Sequence, residues 1–347
     1  MQLLSGLLGL AAVASTTLAA VSKSSPPAAN VSVLTTFSFP SWAENLAVRA
    51  SGEILVSRLE APAVYQIDPA TGAATLVYAW DASAYKGCLG IAEMTTDVFY
   101  VITSAFIDDD FVKQSGINSI FEVDMRAFVI GSDGVVTTNA TVRKLVDVPE
   151  ADFLNGMAVL DDSYILVSDV YAGEIYKIDT ATANYSVVIS DPLMKFDYAS
   201  HPPTNLGSNG IKIHDGCLYW TNTAAGFLAR IAIDAGANPI GSSAIAVTGV
   251  PKADDFFIRS DGVAFICQNQ MDTLSVAYLD NSASTPAYAI AGSNTSTILA
   301  GVTAAKFGRR SVDESTLYLS TSGALALAIN GSVVVAGTIS SIDTTLY

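Results

Sequence analysis

Six residues open successive copies of a repeated sequence unit, and four of them have a carboxylate or amide side chain. The six are Glu44, Leu89, Asn155, Asn209, Asp254 and Thr303. If the copies surround one axis, these four side chains converge on it. Their oxygens suit Ca²⁺ or Mg²⁺, and the set contains no thiol or imidazole of the kind that binds zinc. We therefore expect a cation site, with Ca²⁺ as the cofactor; the alternative is that these side chains cap turns.

Loops around the same end of the repeats contain aromatic residues and a few polar ones. The residues predicted to contact a substrate are Trp42, Trp80, Phe106 and Tyr171. The residues predicted to act as hydrogen-bond donors or as an acid or base are Arg58, Asn222, Gln268 and His201. Aromatic walls with few polar groups are typical of a small-molecule site, although each residue alone could be ordinary loop packing. Residues 324–335 are unusually apolar for a loop and are expected to form a wall or lid.

Nucleophilic catalysis has little support in the sequence. His201 and His214 are the only two histidines, and no Gly-x-Ser-x-Gly motif presents a serine. The chain also has no phosphate loop or dinucleotide-binding motif, so no organic cofactor is expected. The three cysteines are expected to be free thiols.

The spacing within the repeats predicts how these residues are positioned. Each copy is a short apolar strand, a polar turn, a hydrophobic strand, a loop, and a strand that ends on Asp. The clearest copy runs from Asn155 to Asp179, and in four copies the opening residue and the closing Asp are 24 to 26 positions apart. A fourth strand follows most copies. Six four-stranded units predict an all-β, six-bladed β-propeller rather than a two-sheet sandwich.

The two ends of the chain predict how the ring closes. The sequence ends at Tyr347, soon after the third strand of the sixth copy, so that blade lacks an outer strand. A spare strand precedes the first copy, at residues 31–37. We expect this N-terminal strand to complete the last blade, which leaves few exposed edges.

The first residues resemble a targeting segment. An apolar run is followed by small residues near 19 and 20, which predicts a signal peptide at 1–20, a flexible leader at 21–30 and one propeller domain at 31–347. Glycosylation is expected at five Asn-x-Ser/Thr sites: Asn30, Asn139, Asn184, Asn294 and Asn330. These features predict the secretory pathway or the extracellular space. No later segment is apolar enough to predict a membrane span.

Composition excludes one class of protein and disfavours another. Half of the 347 residues are hydrophobic and 14% are charged, which excludes a disordered chain. The formal net charge of −16 disfavours nucleic acid as a partner, because phosphate binding needs a basic surface. A small-molecule substrate is the expected partner.

The blade openings resemble those of gluconolactonase and regucalcin-like six-bladed propellers. The resemblance lies in Glu44-Asn45, Asn155-Gly156, Ser208-Asn209 and Asp254-Asp255, and it covers nearly the whole chain after the leader. It implies that Glu44, Asn155, Asn209 and Asp254 hold a divalent cation. The apolar Leu89 at the second blade departs from that pattern.

Within this group the chain looks most like a fungal secretory branch with members similar to hetero-Diels–Alderases, which join a tropolone quinone methide to a sesquiterpene. The resemblance implies an enzyme of secondary metabolism that performs this cycloaddition in an apolar cup. One alternative is a metal-dependent lactonase, which the oxygen ligands favour. A further alternative is a non-enzymatic propeller that binds a ligand or partner.

Overall fold

The computed structural model describes residues 26–104, 118–196, 206–280 and 283–347. The predicted signal peptide and the first part of the predicted leader lie outside these residues, and both stay predictions. Within the described residues almost all regular structure is β, and the only helices are two single 3-10 turns at Pro192–Met194 and Asn269–Met271.

The described strands form six blades that follow one another along the chain, and a separate two-stranded sheet is inserted in blade 2. An N-terminal strand, β1 (Ser32–Thr36), precedes blade 1, which contains β2 (Ala43–Val48), β3 (Ile54–Arg58), β4 (Ala63–Ile67) and β5 (Ala74–Ala79). Blade 2 contains β6 (Gly87–Thr95), β7 (Val98–Ser104), β8 (Ser119–Asp124) and, after a small hairpin of β9 (Val129–Ile130) and β10 (Val136–Thr138), β11 (Thr141–Asp147). Blade 3 contains β12 (Leu154–Val159), β13 (Tyr164–Asp169), β14 (Glu174–Asp179) and β15 (Tyr185–Ser190).

The second half of the chain repeats this plan. Blade 4 contains β16 (Ser208–His214), β17 (Cys217–Asn222), β18 (Phe227–Ile233) and β19 (Pro239–Thr248). Blade 5 contains β20 (Ala253–Ile258), β21 (Val263–Gln268), β22 (Thr273–Tyr278) and β24 (Tyr288–Gly292); the short β23 (Thr285–Pro286) pairs instead with β19 of blade 4. Blade 6 contains β25 (Val302–Phe307), β26 (Thr316–Thr321) and β27 (Thr338–Asp343).

The six blades surround a central channel. The first strand of each blade is innermost, and β2, β6, β12, β16, β20 and β25 contact one another in that order, with β25 again touching β2. The predicted six-bladed β-propeller is therefore confirmed. We call the end of the channel where the innermost strands begin the upper mouth, and the end where they finish the lower mouth.

The N-terminal strand supplies the outer strand of blade 6. β1 pairs antiparallel with β27, with Ser32 opposite Ser341 and Thr36 opposite Thr338. The Thr35 hydroxyl also donates to the carbonyl of Gly72 in blade 1, at 2.7 Å. β1 thus links the last blade to the first.

Closing aspartates turn the chain from the third strand towards the fourth. Asp68, Asp179 and Asp234 each accept a backbone N–H two residues later, at 2.8 to 2.9 Å. These bonds to the ionised carboxylates lower the pKa of all three aspartates, with the Thr71 hydroxyl leading at Asp68 and the Asn238 side chain at Asp234. In these three repeats the closing Asp is therefore a turn cap.

The apolar core lies mainly between neighbouring blades. Every residue of β3, β7 and β21 is buried, because second strands have a blade on each face. Leu89 and Ile102 of blade 2, for example, share a cluster with Met157 and Ile165 of blade 3. The described residues include no helix with the length and hydrophobicity that a membrane crossing requires.

The glycosylation sites and cysteines are placed as follows. All five predicted acceptor asparagines are exposed, so their positions are compatible with glycosylation, which stays a prediction. Cys88, Cys217 and Cys267 are free thiols, and Cys88 and Cys267 are buried.

Candidate active site

Each innermost strand begins with a β-bulge at the upper mouth. The pairing register shifts between Ala43 and Asn45, Cys88 and Ile91, Leu154 and Met157, Ser208 and Ile211, Ala253 and Phe256, and Val302 and Ala304. Every shift spans the residue that opens the repeat. A bulge inserts a residue and re-aims its side chain, so the same local irregularity recurs six times around the channel.

Small side chains in the second strands hold these bulges in place. Ser57 donates to the carbonyl of Leu89 at 2.5 Å, Ser168 to that of Asn209 at 2.7 Å, and Thr221 to that of Asp254 at 2.5 Å. In each case the hydroxyl of one blade fixes the bulge of the next. Neighbouring bulges also lie too close together for a side chain at Gly156, because a Cβ there would lie 2.4 Å from the Asn209 carbonyl oxygen.

A cavity of about 140 Å³ opens at the upper mouth, which we call the upper cavity. Its walls are formed by Trp42, Glu44, Leu59, Phe153, Asn155, Leu206, Asn209, Thr223, Lys252, Asp254, Asn269, Gln270, Leu325 and Ala326. The structure therefore brings Glu44, Asn155, Asn209 and Asp254 together. Leu89 and Thr303 are not part of this wall: Leu89 is fully buried in the core, and the Thr303 hydroxyl donates to the Ala43 carbonyl at 2.7 Å.

The two carboxyl groups of the upper cavity hold their protons more tightly than usual. Burial raises the pKa of Asp254 to about 7, even though the amides of Asn269 and Asn209 each donate to it at 2.8 Å. Burial also raises the pKa of Glu44 well above its ordinary value, and the nearby charge of Asp254 adds to that rise. The indole N–H of Trp42 donates to Glu44 and acts in the opposite direction.

Two amides in the upper cavity keep hydrogen-bonding capacity. The Oδ1 atom of Asn209 is buried and has no hydrogen-bond partner among the described residues, although its amide nitrogen donates to Asp254 and Thr223. The Asn155 side chain is 4% exposed and forms no hydrogen bond to any described residue. An unsatisfied buried oxygen calls for an explanation, and a bound ion is one.

The residues of the upper cavity fit a hard cation. Glu44 and Asp254 offer carboxylate oxygens and Asn155 and Asn209 offer amide oxygens, the ligand type that Ca²⁺ takes. No cluster of three or more His, Cys, Asp or Glu side chains within the described parts of the chain could hold a metal. The two amides would therefore have to complete the site.

Three predicted catalytic residues do not line the upper cavity, although the residue that follows each of them in the sequence does. Arg58 pairs with Glu60 and stacks 4.1 Å above the Phe37 ring. Asn222 donates to the carbonyls of Leu193 and Lys195, at 3.0 Å each. Gln268 donates to the Pro251 carbonyl at 3.0 Å.

The next residues, Leu59, Thr223 and Asn269, line the cavity instead. Successive side chains of a strand point to opposite sides, so a one-residue error at the strand end exchanges a wall residue for one between the blades. The sequence indicates these residues only by the junction between strand and loop, and that junction does not show which residue ends the strand.

The remaining predicted residues are distributed as follows. Trp42 lines the cavity, whereas Trp80 packs in the core of blades 1 and 2, with its ring centroid 5.3 Å from that of Phe121. Tyr171 is half-buried beside Phe153, which itself lines the cavity. Phe106 and His201 lie outside the described residues. The apolar segment 324–335 contributes Leu325 and Ala326 to the wall.

Two known proteins resemble this chain along most of its length. No protein-family model matches the chain. A candidate hetero-Diels-Alderase from Sarocladium schorii, asR5, is 27% identical over 336 residues, which cover 88% of this chain and 81% of that protein. A second candidate hetero-Diels-Alderase, from a Phoma species, is 27% identical over 301 residues, or 80% of this chain and 82% of the relative. The chain is similar to hetero-Diels-Alderases.

Solved structures support the fold. A luciferin-regenerating enzyme superposes with a TM-score of 0.62 at 14% identity, covering 91% of this chain and 96% of that one. Regucalcin from Agrobacterium tumefaciens, described as a calcium-binding protein, superposes with a TM-score of 0.56 at 14% identity, covering 92% and 97%. The predicted resemblances to regucalcin and to hetero-Diels-Alderases are confirmed, and the curated relatives support the prediction of an enzyme.

Proposed function

We propose that the chain catalyses a hetero-Diels–Alder cycloaddition in the upper cavity. The observation that carries this proposal is the similarity to two candidate hetero-Diels-Alderases along at least 80% of the chain. The proposed substrates are a tropolone quinone methide, as the oxygen-containing diene, and a sesquiterpene alkene. The reaction forms one C–C and one C–O bond, loses no atom and needs no redox partner.

The wall chemistry of the upper cavity suits this reaction, but its volume of about 140 Å³ is smaller than the two substrates together, which would therefore extend out through its open end. Trp42, Leu59, Phe153, Leu206 and Leu325 offer apolar surface to both partners. Holding a diene and an alkene face to face removes much of the entropic cost of their encounter. No nucleophile is required, and the described part of the cavity wall contains no Ser, Cys or His.

Asn155 is the proposed hydrogen-bond donor to the diene. Its side chain has no hydrogen-bond partner in the described structure and it lines the cavity. Negative charge builds on the quinone methide oxygen as the bonds form, so an amide N–H at that oxygen stabilises the transition state more than the ground state. The donors predicted from sequence, Arg58, Asn222 and Gln268, already bind other protein groups.

We also propose that Glu44, Asn155, Asn209 and Asp254 hold a Ca²⁺ ion. When bound, the ion would supply positive charge that neutralises the two buried carboxylates and could polarise a substrate oxygen. The unsatisfied Asn209 oxygen supports this proposal.

The cycloaddition can be tested with purified protein. A quinone methide released from a precursor is mixed with humulene, and the adduct is followed by chiral chromatography and mass spectrometry. We expect faster formation and one enantiomer, because the reaction without enzyme gives a racemate. Ala326→Phe fills the cavity and should abolish both effects, whereas Leu327→Phe, at a side chain 54% exposed, should change neither. A racemic product at the background rate with wild-type protein would refute the proposal.

The role of Asn155 has its own test. Asn155→Leu should lower kcat by about 100- to 1,000-fold, the usual effect of losing one hydrogen bond to developing charge. Asn184→Leu, at an exposed asparagine, is the control in protein made without glycosylation. Equal kcat for wild type and Asn155→Leu would remove Asn155 from the mechanism without touching the rest of the proposal.

A metal-dependent lactonase is the second candidate function. The convergence of four oxygen-bearing side chains on one cavity favours it. Hydrolysis of aliphatic γ- and δ-lactones that EDTA abolishes and Ca²⁺ restores would support a lactonase. Cycloaddition that continues at the same rate in EDTA would support the cyclase, with any ion having a structural role.

A further inference from the structure

A second cavity, of about 500 Å³, lies at the lower mouth, and we call it the lower cavity. All six innermost strands contribute to it at the ends opposite their bulges. Its size is within the usual range of small-molecule sites. Apolar side chains form most of its wall, among them Ile91, Met157, Ile213 and Phe257.

A polar layer lies between the two cavities along the innermost strands. The Asn45 amide of blade 1 donates to Asp255 of blade 5 at 3.0 Å, and the Lys212 ammonium of blade 4 contacts the same carboxylate at 2.5 Å. Asn45 and Asp255 directly follow Glu44 and Asp254 of the upper cavity, and Lys212 lines the lower cavity. The lower cavity is therefore separate from the upper cavity, and the two share no lining residue.

The charges at the lower cavity do not balance. Lys212 is paired with Asp255, and Arg309 is paired with Glu93 and also donates to the Val48 carbonyl at 3.0 Å. Lys306 has neither a hydrogen bond nor an ion pair with a described residue, and its nitrogen lies 5.7 Å from the centre of the Phe257 ring. Three cations thus face two carboxylates.

We propose that the lower cavity binds a small organic monoanion, with a carboxylate that accepts hydrogen bonds from Lys306 and an apolar body against Ile91, Met157 and Phe257. The single surplus cation matches a single negative charge. The apolar walls exclude a small inorganic anion as the preferred ligand, because such an ion would lose its hydration and gain no apolar contact.

The protonation of Lys306 makes the binding depend on pH. Burial, together with the charge of Lys212, lowers the pKa of Lys306 to about 7, and Asp255 offsets part of this change. The other ionisable groups that face it are Glu93 and Arg309, which are paired with each other. A bound carboxylate favours the ammonium form, so binding should weaken as pH rises above 7.

Octanoate is a suitable probe, and isothermal titration calorimetry measures its binding. Wild-type protein should bind one octanoate at pH 6, with an affinity at least about tenfold lower at pH 8.5. Lys306→Met should lower the affinity at pH 6 at least about tenfold. Lys86→Met, at an exposed lysine, should have no effect.

Two further variants show which cavity and which group are involved. Lys306→Arg keeps its charge at both pH values, so it should bind octanoate without the loss at pH 8.5. Ala326→Phe blocks the upper cavity and should leave octanoate binding unchanged. Absence of saturable binding to wild type at pH 6, or wild-type affinity in Lys306→Met, would overturn the proposal. Neither result depends on cycloaddition activity.

Discussion

Ionisable side chains lie at both mouths of the channel, buried at Asp254 and half-buried at Lys306, and their neighbours differ. Asp254 at the upper mouth accepts two amide hydrogen bonds, whereas Lys306 at the lower mouth has none with the described residues. Burial disfavours the charged form of both groups. A hydrogen bond to the charged form offsets that cost, so the cost should be greater for Lys306.

Lys306 should therefore reduce the free energy of unfolding in a pH-dependent way. Its pKa is about 7 in the folded protein and near 10.5 in the unfolded chain, so between these values the unfolded chain binds more protons. The contribution of Lys306 to the free energy of unfolding is therefore lowest below pH 7 and rises towards pH 10.5. The difference between these two pKa values is equivalent to about 5 kcal/mol at most, so Lys306→Met should be more stable than wild type by up to that amount at pH 6, and the difference should shrink by pH 9.5.

Urea unfolding at several pH values checks this prediction. Lys86→Met is the control, because it removes an exposed lysine that lines neither cavity. A difference between wild type and Lys306→Met that stays constant from pH 6 to 9.5 would show that the ammonium is not disfavoured in the folded protein.

The elements that position the site are the six bulges and the hydroxyls that hold them. Thr221 is fully buried, donates to the Asp254 carbonyl at 2.5 Å and accepts the Gly210 N–H at 3.1 Å. Thr221→Val keeps the shape of the side chain but leaves both backbone groups without this partner. An unsatisfied buried group costs about 1–3 kcal/mol, so we expect a loss of that size in the free energy of unfolding.

The matched control is Thr248→Val, at an exposed strand residue, which should change stability by less than about 0.5 kcal/mol. Denaturant unfolding of the two variants gives the comparison. We also expect Thr221→Val to reduce cycloaddition, because Asp254 sits on the bulge that Thr221 holds. Equal unfolding midpoints for the two variants would mean that the hydroxyl does not fix the bulge.

The sequence predicted the strands well and the ends of the strands poorly. Alternating apolar residues and the closing Asp of each repeat depend on local chemistry, so they identified the blades and their order. The bulge depends on how two neighbouring blades approach each other, and Asn155-Gly156 alone does not reveal it. Whether Arg58 or Leu59 faces the upper cavity depends on that bulge and on the exact end of the strand, so the sequence alone does not decide between them.

Ring closure is a property of the whole molecule, because it joins residues from the two ends of the chain. β1 pairs with β27 along its length, and the carbonyl of Leu34 lies so close to Gly72 that a Cβ there would be 2.2 Å from it. Without β1, β27 would become an exposed edge, which favours pairing with other molecules. Blade 6 would also lose its tie to blade 1.

Removal of residues 1–36 should therefore destabilise the entire ring, whereas removal of residues 1–25 should not. We expect the longer deletion to lower the free energy of unfolding by about 3–5 kcal/mol and the melting temperature by about 5–10 °C. Calorimetry measures the melting temperature, and light scattering should detect association through the open edge of β27. The shorter deletion keeps β1 and should match full-length protein in both measurements. If the two deletions melt together and stay monomeric, the ring holds its sixth blade without the N-terminal strand, and closure must come from contacts between β25 and β2 alone.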